Sequence, residues 1–483
     1  MAEGAVERQA DNISPEYQEL RRTLHRVNYE AHLEDILAKR SHNTARWIFE
    51  NEAFRNWKNS PGSRVLWLTG IVGSGKTVTA ASVINELTEE SNSIVAHRVR
   101  PLILYFFSDS KETAKSDPLN LLSCLMRQIL HYRVAYGKRI KHATSSATDS
   151  FLIALGKTMD IMRELFSRIP KVYIILDALD ECSGAKGELL TRIFQAAKLS
   201  SSCVKVLVTT RIHPGTELDR AFQNPSYGKL IVKMSLVESQ VKLDIDKFLL
   251  QKIEATPGLR ALGNELRQKV KNTIAQHAAG VFLWASMAWE MFCGQAVSGW
   301  TLEIVNKGLA MLGDLCNRTT AISREAEIKS SRPQSPLYGF YTAVLDRVPG
   351  TQREDTKRLF QFIIFAHTPL TLRQLGAACA VRVGDKDLKS IEERMCFALA
   401  DEVKTRCYPF VQIVGADQTI KVVHSSIKEY FLDGGSGEYC FTDDHHRAHL
   451  DISLTCLTYL TFTDFAKDHS TNPNSTLVEE EVL

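Results

Sequence analysis

Charge of one sign, paired cysteines and long apolar runs are all missing from this chain. Its 59 lysines and arginines nearly cancel its 56 aspartates and glutamates, leaving a formal net charge of +3 over 483 residues. So close a balance supplies no field to hold nucleic acid or an anionic membrane, and neither is expected as a partner. The ten cysteines are scattered, with no two spaced as CxxC, so neither a zinc ribbon nor a thioredoxin-type pair is indicated. They read as reduced thiols of a cytoplasmic protein. The longest apolar run, near Gly280 to Cys293, is too short and too interrupted to cross a bilayer. The opening MAEGAVERQADNISPEYQ is polar and charged, unlike a secretory signal. HTPL at 367–370 occurs once and lacks the continuation of an ankyrin unit, so no repeat array is supported.

What is there is length and alternation. A chain of 483 residues suggests two to four domains. Leu20, Leu24, Val27, Leu33, Ile36 and Leu37 have the spacing of an amphipathic helix or helical pair within 16–40, and 43–57 (NTARWIFENEAFRNW) reads as a further helix. From 65 to 234, short apolar runs alternate with longer amphipathic segments. The runs are VLWL (65–68), LILYFF (102–107), VYIIL (172–176), VKVLVT (204–209) and LIVKM (230–234). Continuous rather than alternating hydrophobicity fits parallel strands covered on both faces, hence an open α/β sheet. Beyond 238 the strand signal gives way to helical patterns at 239–255, 262–279 and 281–293, a helical bundle. The polar stretch 319–336 (TTAISREAEIKSSRPQSP) is the best linker candidate. Helices follow at 337–348, 354–366 and 372–381, the last opened by a capping box of Thr371 and Gln374. FVQIV (410–414) and TIKVV (419–423) form a hairpin, helices follow at 425–432 and from 446, and the final dozen residues are expected to fray.

Three strand ends carry chemistry. WLTGIVGSGKT contains Gly70, Ile71, Val72, Gly73, Ser74, Gly75, Lys76 and Thr77, a full G-x-x-x-x-G-K-[ST] between an apolar run and a helix that continues through Val78. Glycines let a backbone close around phosphates with its N–H groups inward, and the helix start adds positive potential. Lys76 would reach the β- and γ-phosphates, and Thr77 would bind Mg²⁺. VYIILDALDEC ends a buried run in Asp177, placed to hold the same Mg²⁺ as a Walker B carboxylate, with Asp180 and Glu181 next to orient or activate water. VKVLVTTR ends in Thr209, Thr210 and Arg211, where open α/β sheets bind ligands, and Arg211 could sense a γ-phosphate. No guanine-reading N-K-x-D occurs (Asn306-Lys307 continues Gly-Leu), which favours ATP and ADP over GTP.

With these pieces in order, the chain resembles the NACHT family of STAND NTPases, of the fungal NOD-like receptor type. The matching stretches are WLTGIVGSGKT, LYFF with a following Ser-Asp-Ser, IILDALDEC, VLVTTR, GVFLWASM, PLYGFYTAVLDRV, FAHTPLTLRQL and VVHSSIKEYFL, over roughly 40–460. The resemblance implies an N-terminal helical segment (1–40), a P-loop NTPase domain with a parallel sheet and helices on both faces (41–235), a helical domain (236–318), the linker (319–336), a winged-helix domain (337–440) and the start of a C-terminal helical region (441–483). It implies a signalling switch, closed with ADP and open with ATP, hydrolysing slowly and forming homo-oligomers when activated, in innate-immunity or non-self-recognition signalling. It also singles out His424, in VVHSSIKEYF, as a contact for the β-phosphate of ADP. HAAGVFLWAS keeps Gly280 but lacks the proline that plant and apoptotic relatives place after it. No effector domain is recognisable before residue 40 and no ankyrin, WD40 or TPR array after 460, so a reduced member, a fragment, or a chain using an effector or sensor in trans is expected.

Other readings stay open beside this one: a conventional P-loop ATPase with the helical half as substrate domain, or a scaffold that binds nucleotide and leaves it intact. His445 and His449 in DDHHRAHL lie one helical turn apart, but no third ligand is identifiable. Cys182 has no histidine placed to activate it, and the winged-helix segments carry mixed charge rather than a basic stripe.

Overall fold

A computed structural model of the chain describes residues 27–94, 100–132, 151–166, 169–211, 214–296, 299–329, 336–434, 439–441 and 445–466. The earlier part of the 16–40 segment and the C-terminal dozen residues lie outside them. The chain divides into two compact units: Met1–Arg260 with Ala278–Leu283, and Ala261–His277 with Trp284–Leu483.

In the first unit each expected apolar run is a strand: β1 (Arg64–Thr69), β2 (Leu102–Phe107), β3 (Lys171–Asp177), β4 (Cys203–Thr210) and β5 (Ile231–Ser235). They form one parallel sheet in the order β2-β3-β4-β1-β5. The period of two sends alternate residues to opposite faces. Val65, Trp67, Ile174, Leu176, Val206 and Val208 pack on one side, with helices Pro118–Tyr132, Phe151–Phe166, Lys186–Leu199 and Glu217–Gln223. Leu66, Leu68, Tyr173, Ile175 and Leu207 pack on the other, with helices Glu52–Asn59 and Lys76–Ser93. Helices therefore cover both faces, which is why the strands read as unbroken apolar runs. One charged residue, Lys205, lies wholly buried within β4. Its Nζ donates to the carbonyls of Ser60 (2.8 Å) and Gly62 (2.7 Å), closing the turn that leads into β1.

The helix expected over 43–57 is interrupted. Trp47–Glu50 and Glu52–Asn59 are separate helices, because Asn51 is extended (ψ 131°) and its Oδ1 accepts from the N–H groups of Ala53 and Phe54 as the cap of the second. An asparagine prefers that role to a helix interior.

In the second unit the stretch expected as a linker is helical as far as Lys329, continuing the helix Leu302–Lys329. Residues 319–324 are half-buried or exposed on this helix rather than in a loop, and no glycine or proline interrupts the run 319–329. This helix packs closely on Pro336–Leu345: a side chain at Gly339 would run into Ser323 Oγ and lie 2.9 Å from the Thr319 carbonyl. Helices Arg353–Phe365 and Leu372–Ala380 follow, the second with both hydrogen bonds of the Thr371–Gln374 capping box. The hairpin is β6 (Val411–Val414) against β7 (Thr419–Val422), and Ile420 N–H donates to the Leu370 carbonyl (2.8 Å), adding a third edge. Tyr341, Phe360, Phe410, Tyr430 and Phe431 form an aromatic core beneath it. His445 and His449 both meet the Phe365 ring edge-on, and His445 Nε2 lies 2.9 Å from the Leu432 carbonyl oxygen. Among the described residues no helix is long and apolar enough to cross a membrane.

In the first unit His32, on the helix Tyr29–Lys39, lies edge-on to Phe107 and 3.2 Å from Lys115 Nζ. Burial, helped by the Lys115 charge, pushes its pKa from 6.5 down to about 4. The unfolded chain takes up this proton near pH 6.5 while the folded chain refuses it, so stability is whole above pH 6.5 and is lost progressively down to about 4. We expect His32→Phe to show a smaller fall in thermal midpoint between pH 7 and pH 5 than the parent. Equal falls would contradict the assignment.

Candidate nucleotide site

The parallel sheet brings the C-terminal ends of β1, β4 and β3 to one edge. Leu68 pairs with Thr209 and Thr69 with Thr210, while Leu176 pairs with Val208, so Asp177, the last residue of β3, falls level with Thr209 of the middle strand. Ligands of open α/β sheets bind outside this edge.

Residues 70–75 form the loop between β1 and the helix Lys76–Ser93. Gly73 (φ 73°) and Gly75 (φ 92°) are left-handed, a conformation that costs other residues roughly 1–2 kcal/mol. Gly70 is required for a different reason: a Cβ there would lie 2.9 Å from Ser74 Oγ and 3.2 Å from Leu236 Cβ. Ser74 Oγ donates to the Ile71 carbonyl (2.8 Å), and Leu283 N–H donates to the Gly73 carbonyl (3.1 Å). Lys76 folds back over the loop, its Nζ donating to the Gly70 and Ile71 carbonyls at 2.9 Å each. Burial pushes the Lys76 amine down to about 8, opposed by the nearby carboxylates of Asp180, Asp177 and Glu181.

Asp177 is 1% exposed. Burial pushes its carboxyl up to about 6, against the Thr209 and Thr77 hydroxyls that hydrogen-bond it and the Lys76 charge. The Thr209 hydroxyl donates to Asp177 Oδ1 (2.6 Å) and accepts from Ala178 N–H (2.8 Å). That second bond steadies Ala178 in the left-handed region (φ 49°), where the chain turns into the short 3₁₀ segment Leu179–Glu181. Asp180 and Glu181 then face Arg211. Arg211 Nε lies 3.3 Å from Asp180 Oδ2, and Nη2 lies 2.7 Å from Glu181 Oε1. The other Glu181 oxygen accepts from the N–H (3.0 Å) and hydroxyl (3.1 Å) of Ser110, just beyond β2.

The structure thus brings together Gly70 to Val78, Asp177, Asp180, Glu181 and Arg211, with three acids and two bases at one sheet edge. His424 belongs to the second unit, where it caps the helix Ser425–Glu429 with Nδ1 bonded to Ser426. Thr209 and Ser110 were not singled out as site residues by the sequence. A strand-end threonine was visible, but its bond to Asp177 depends on which strands are neighbours. Also unforeseen is a narrow, mainly apolar cleft beside the loop, lined by Thr44, Ala45, Ser74, Gly75, Val78, Leu236, Asp244 and Phe282. Its walls come from distant stretches of sequence that carry no motif.

Residues 43–211 match the family described as Nephrocystin 3, N-terminal, a span that takes in the loop, Asp177 and Arg211. The vegetative incompatibility protein HET-E-1 of Podospora anserina is 21% identical over 399 residues, covering 81% of this chain and 26% of that protein. The chain therefore spans about a quarter of that relative's length. Among solved structures, the Aeropyrum pernix ORC1 protein in complex with DNA is 12% identical with a TM-score of 0.34, covering 80% of this chain and 89% of that one. The ADP form of the ORC2 protein from the same organism is also 12% identical at a TM-score of 0.34, covering 86% and 92%. At those scores neither likeness bears on function. The ordered motifs, the family match and the fungal relative together support the resemblance to NACHT-type STAND NTPases.

Proposed function

We propose that the chain is a nucleotide-dependent signalling switch that binds ATP and ADP with Mg²⁺ and hydrolyses ATP slowly. The observation that carries this reading is that the loop motif ending at Thr77, with Lys76 folded onto it, and the buried Asp177 stand at the same sheet edge. That placement makes neighbours of a hydroxyl and a carboxylate, an oxygen donor pair suited to a hard divalent cation. Mg²⁺ held there would neutralise phosphate charge. The backbone of Gly70, Ile71, Val72, Gly73, Ser74, Gly75 and Val78 would wrap the phosphates, and Lys76 would exchange its two carbonyl partners for phosphate oxygens. The small apolar cleft lined by Val78, Leu236 and Phe282 would widen to take the base.

Asp180 and Glu181 are the residues we assign to the attacking water, with Arg211 as the γ-phosphate sensor. Both Glu181 oxygens are engaged, by Arg211 and by Ser110. Water activation requires breaking those bonds, which favours slow turnover over a metabolic ATPase. In the ADP state we assign His424 to the β-phosphate, with 337–440 as a winged helix closing the nucleotide in. Opening on exchange for ATP would permit homo-oligomers, with effector or sensor partners in trans, in a cytoplasmic non-self-recognition pathway.

Lys76→Ala should weaken ATP and ADP by at least about tenfold in equilibrium titration, the worth of a charge-assisted phosphate contact. Unchanged affinity would remove Lys76 from phosphate binding. Glu181→Gln should keep ATP affinity yet retain ATP unhydrolysed, read as the ATP-to-ADP ratio in bound nucleotide against a parent turning over well below ~10 s⁻¹. Full turnover in that variant would take Glu181 out of catalysis. His424→Ala should weaken ADP and raise the mass seen by light scattering; if neither moves, His424 is only a helix cap.

A further inference from the structure

We propose that Asp244 determines base selectivity in the nucleotide cleft by fixing the backbone of residues 42–45; this rests on the nucleotide reading above. Asp244, Lys247 and Gln251 lie on one face of the helix Glu238–Ala255, at the spacing that aligns side chains along a helix. All three grip the same short loop. Ala45 N–H donates to Asp244 Oδ2 at 2.7 Å in a buried contact. Lys247 Nζ donates to the Asn43 carbonyl (3.1 Å). Gln251 closes a two-way pair with His42, accepting its N–H at 2.9 Å and donating to its carbonyl at 2.5 Å.

The loop so held is strained. Asn43 (φ 61°) and Ala45 (φ 58°) are both left-handed without being glycine. Such residues persist only where surrounding structure enforces them, and they concentrate at ligand sites. Thr44 and Ala45 of this loop line the same cleft as Ser74 and Gly75 of the phosphate loop.

The side chains on that wall are already engaged with the protein. The Thr44 hydroxyl donates to the Ser41 carbonyl (2.7 Å), and Arg40 Nη1 donates to Ser82 Oγ (3.0 Å). Discrimination between purines therefore falls to the backbone groups of the loop that these bonds leave over, whose positions Asp244 sets. Asp244 is 7% exposed and is a positioning residue.

The test is equilibrium titration of ADP, GDP and inorganic pyrophosphate into the intact chain and its Asp244→Ala and Asp244→Asn variants. Asp244→Ala should lose about tenfold in ADP affinity, one hydrogen bond's worth, and lose its preference for ADP over GDP, while pyrophosphate binding stays within twofold. Asp244→Asn should restore the preference, because its amide oxygen still accepts the Ala45 N–H. An unchanged ADP-to-GDP ratio in Asp244→Ala, or an equal loss for pyrophosphate, overturns the proposal. Should Asp244→Ala not fold, Lys247→Met with Gln251→Ala tests the same strap at its exposed end: a severalfold fall in the ratio supports it and an unchanged ratio overturns it. If the parent chain binds no nucleotide, the nucleotide reading has failed and this proposal falls with it.

Discussion

A carboxylate buried at the end of a parallel strand is the constraint around which this site is arranged. Asp177 is all but inaccessible, and burial alone would keep its carboxyl protonated well above the usual carboxylate range. Two hydroxyls and a lysine pull the other way. They come from two different places in the chain: Thr209 from the end of β4, Thr77 and Lys76 from the helix after β1. They meet because β4 lies between β1 and β3. An order that set β3 further from β1 would separate the phosphate loop from its acid.

The same edge balances its remaining charges pairwise. Arg211 bridges Asp180 and Glu181, and Ser110 fixes the far side of Glu181. The arrangement couples the loop after β2, the turn after β3 and the end of β4 through one carboxylate. A phosphate group drawing Arg211 away would loosen all three at once. That gives a concrete route from the occupant of the site to the backbone around it, which a switch requires and a rapid metabolic enzyme does not.

Much of this was readable from sequence because it is local. Five apolar runs gave five strands, since buried parallel strands need no alternation. The loop motif, the acidic strand end and the Thr371 capping box each lie within a few residues. What was not readable is long-range. The bond from Ala45 to Asp244 joins residues 199 apart, and nothing near either position marks the other. Thr209 could be seen at a strand end but not assigned to Asp177 without the strand order. Composition misled in one stretch: 319–329 is polar enough for a linker, yet its alanines, glutamates, isoleucines and lysine suit a solvated helix. At Asn51 the error ran the other way, since a continuous helical pattern hid a cap. His424 was marked by family resemblance alone, and its bonds to Ser426 are those of an ordinary helix cap.

The most direct measurement is calorimetric titration of the intact, folded chain with MgADP and MgATP. A phosphate loop closed over Asp177 predicts saturable heat at one nucleotide per chain. No heat with any adenine or guanine nucleotide would contradict it.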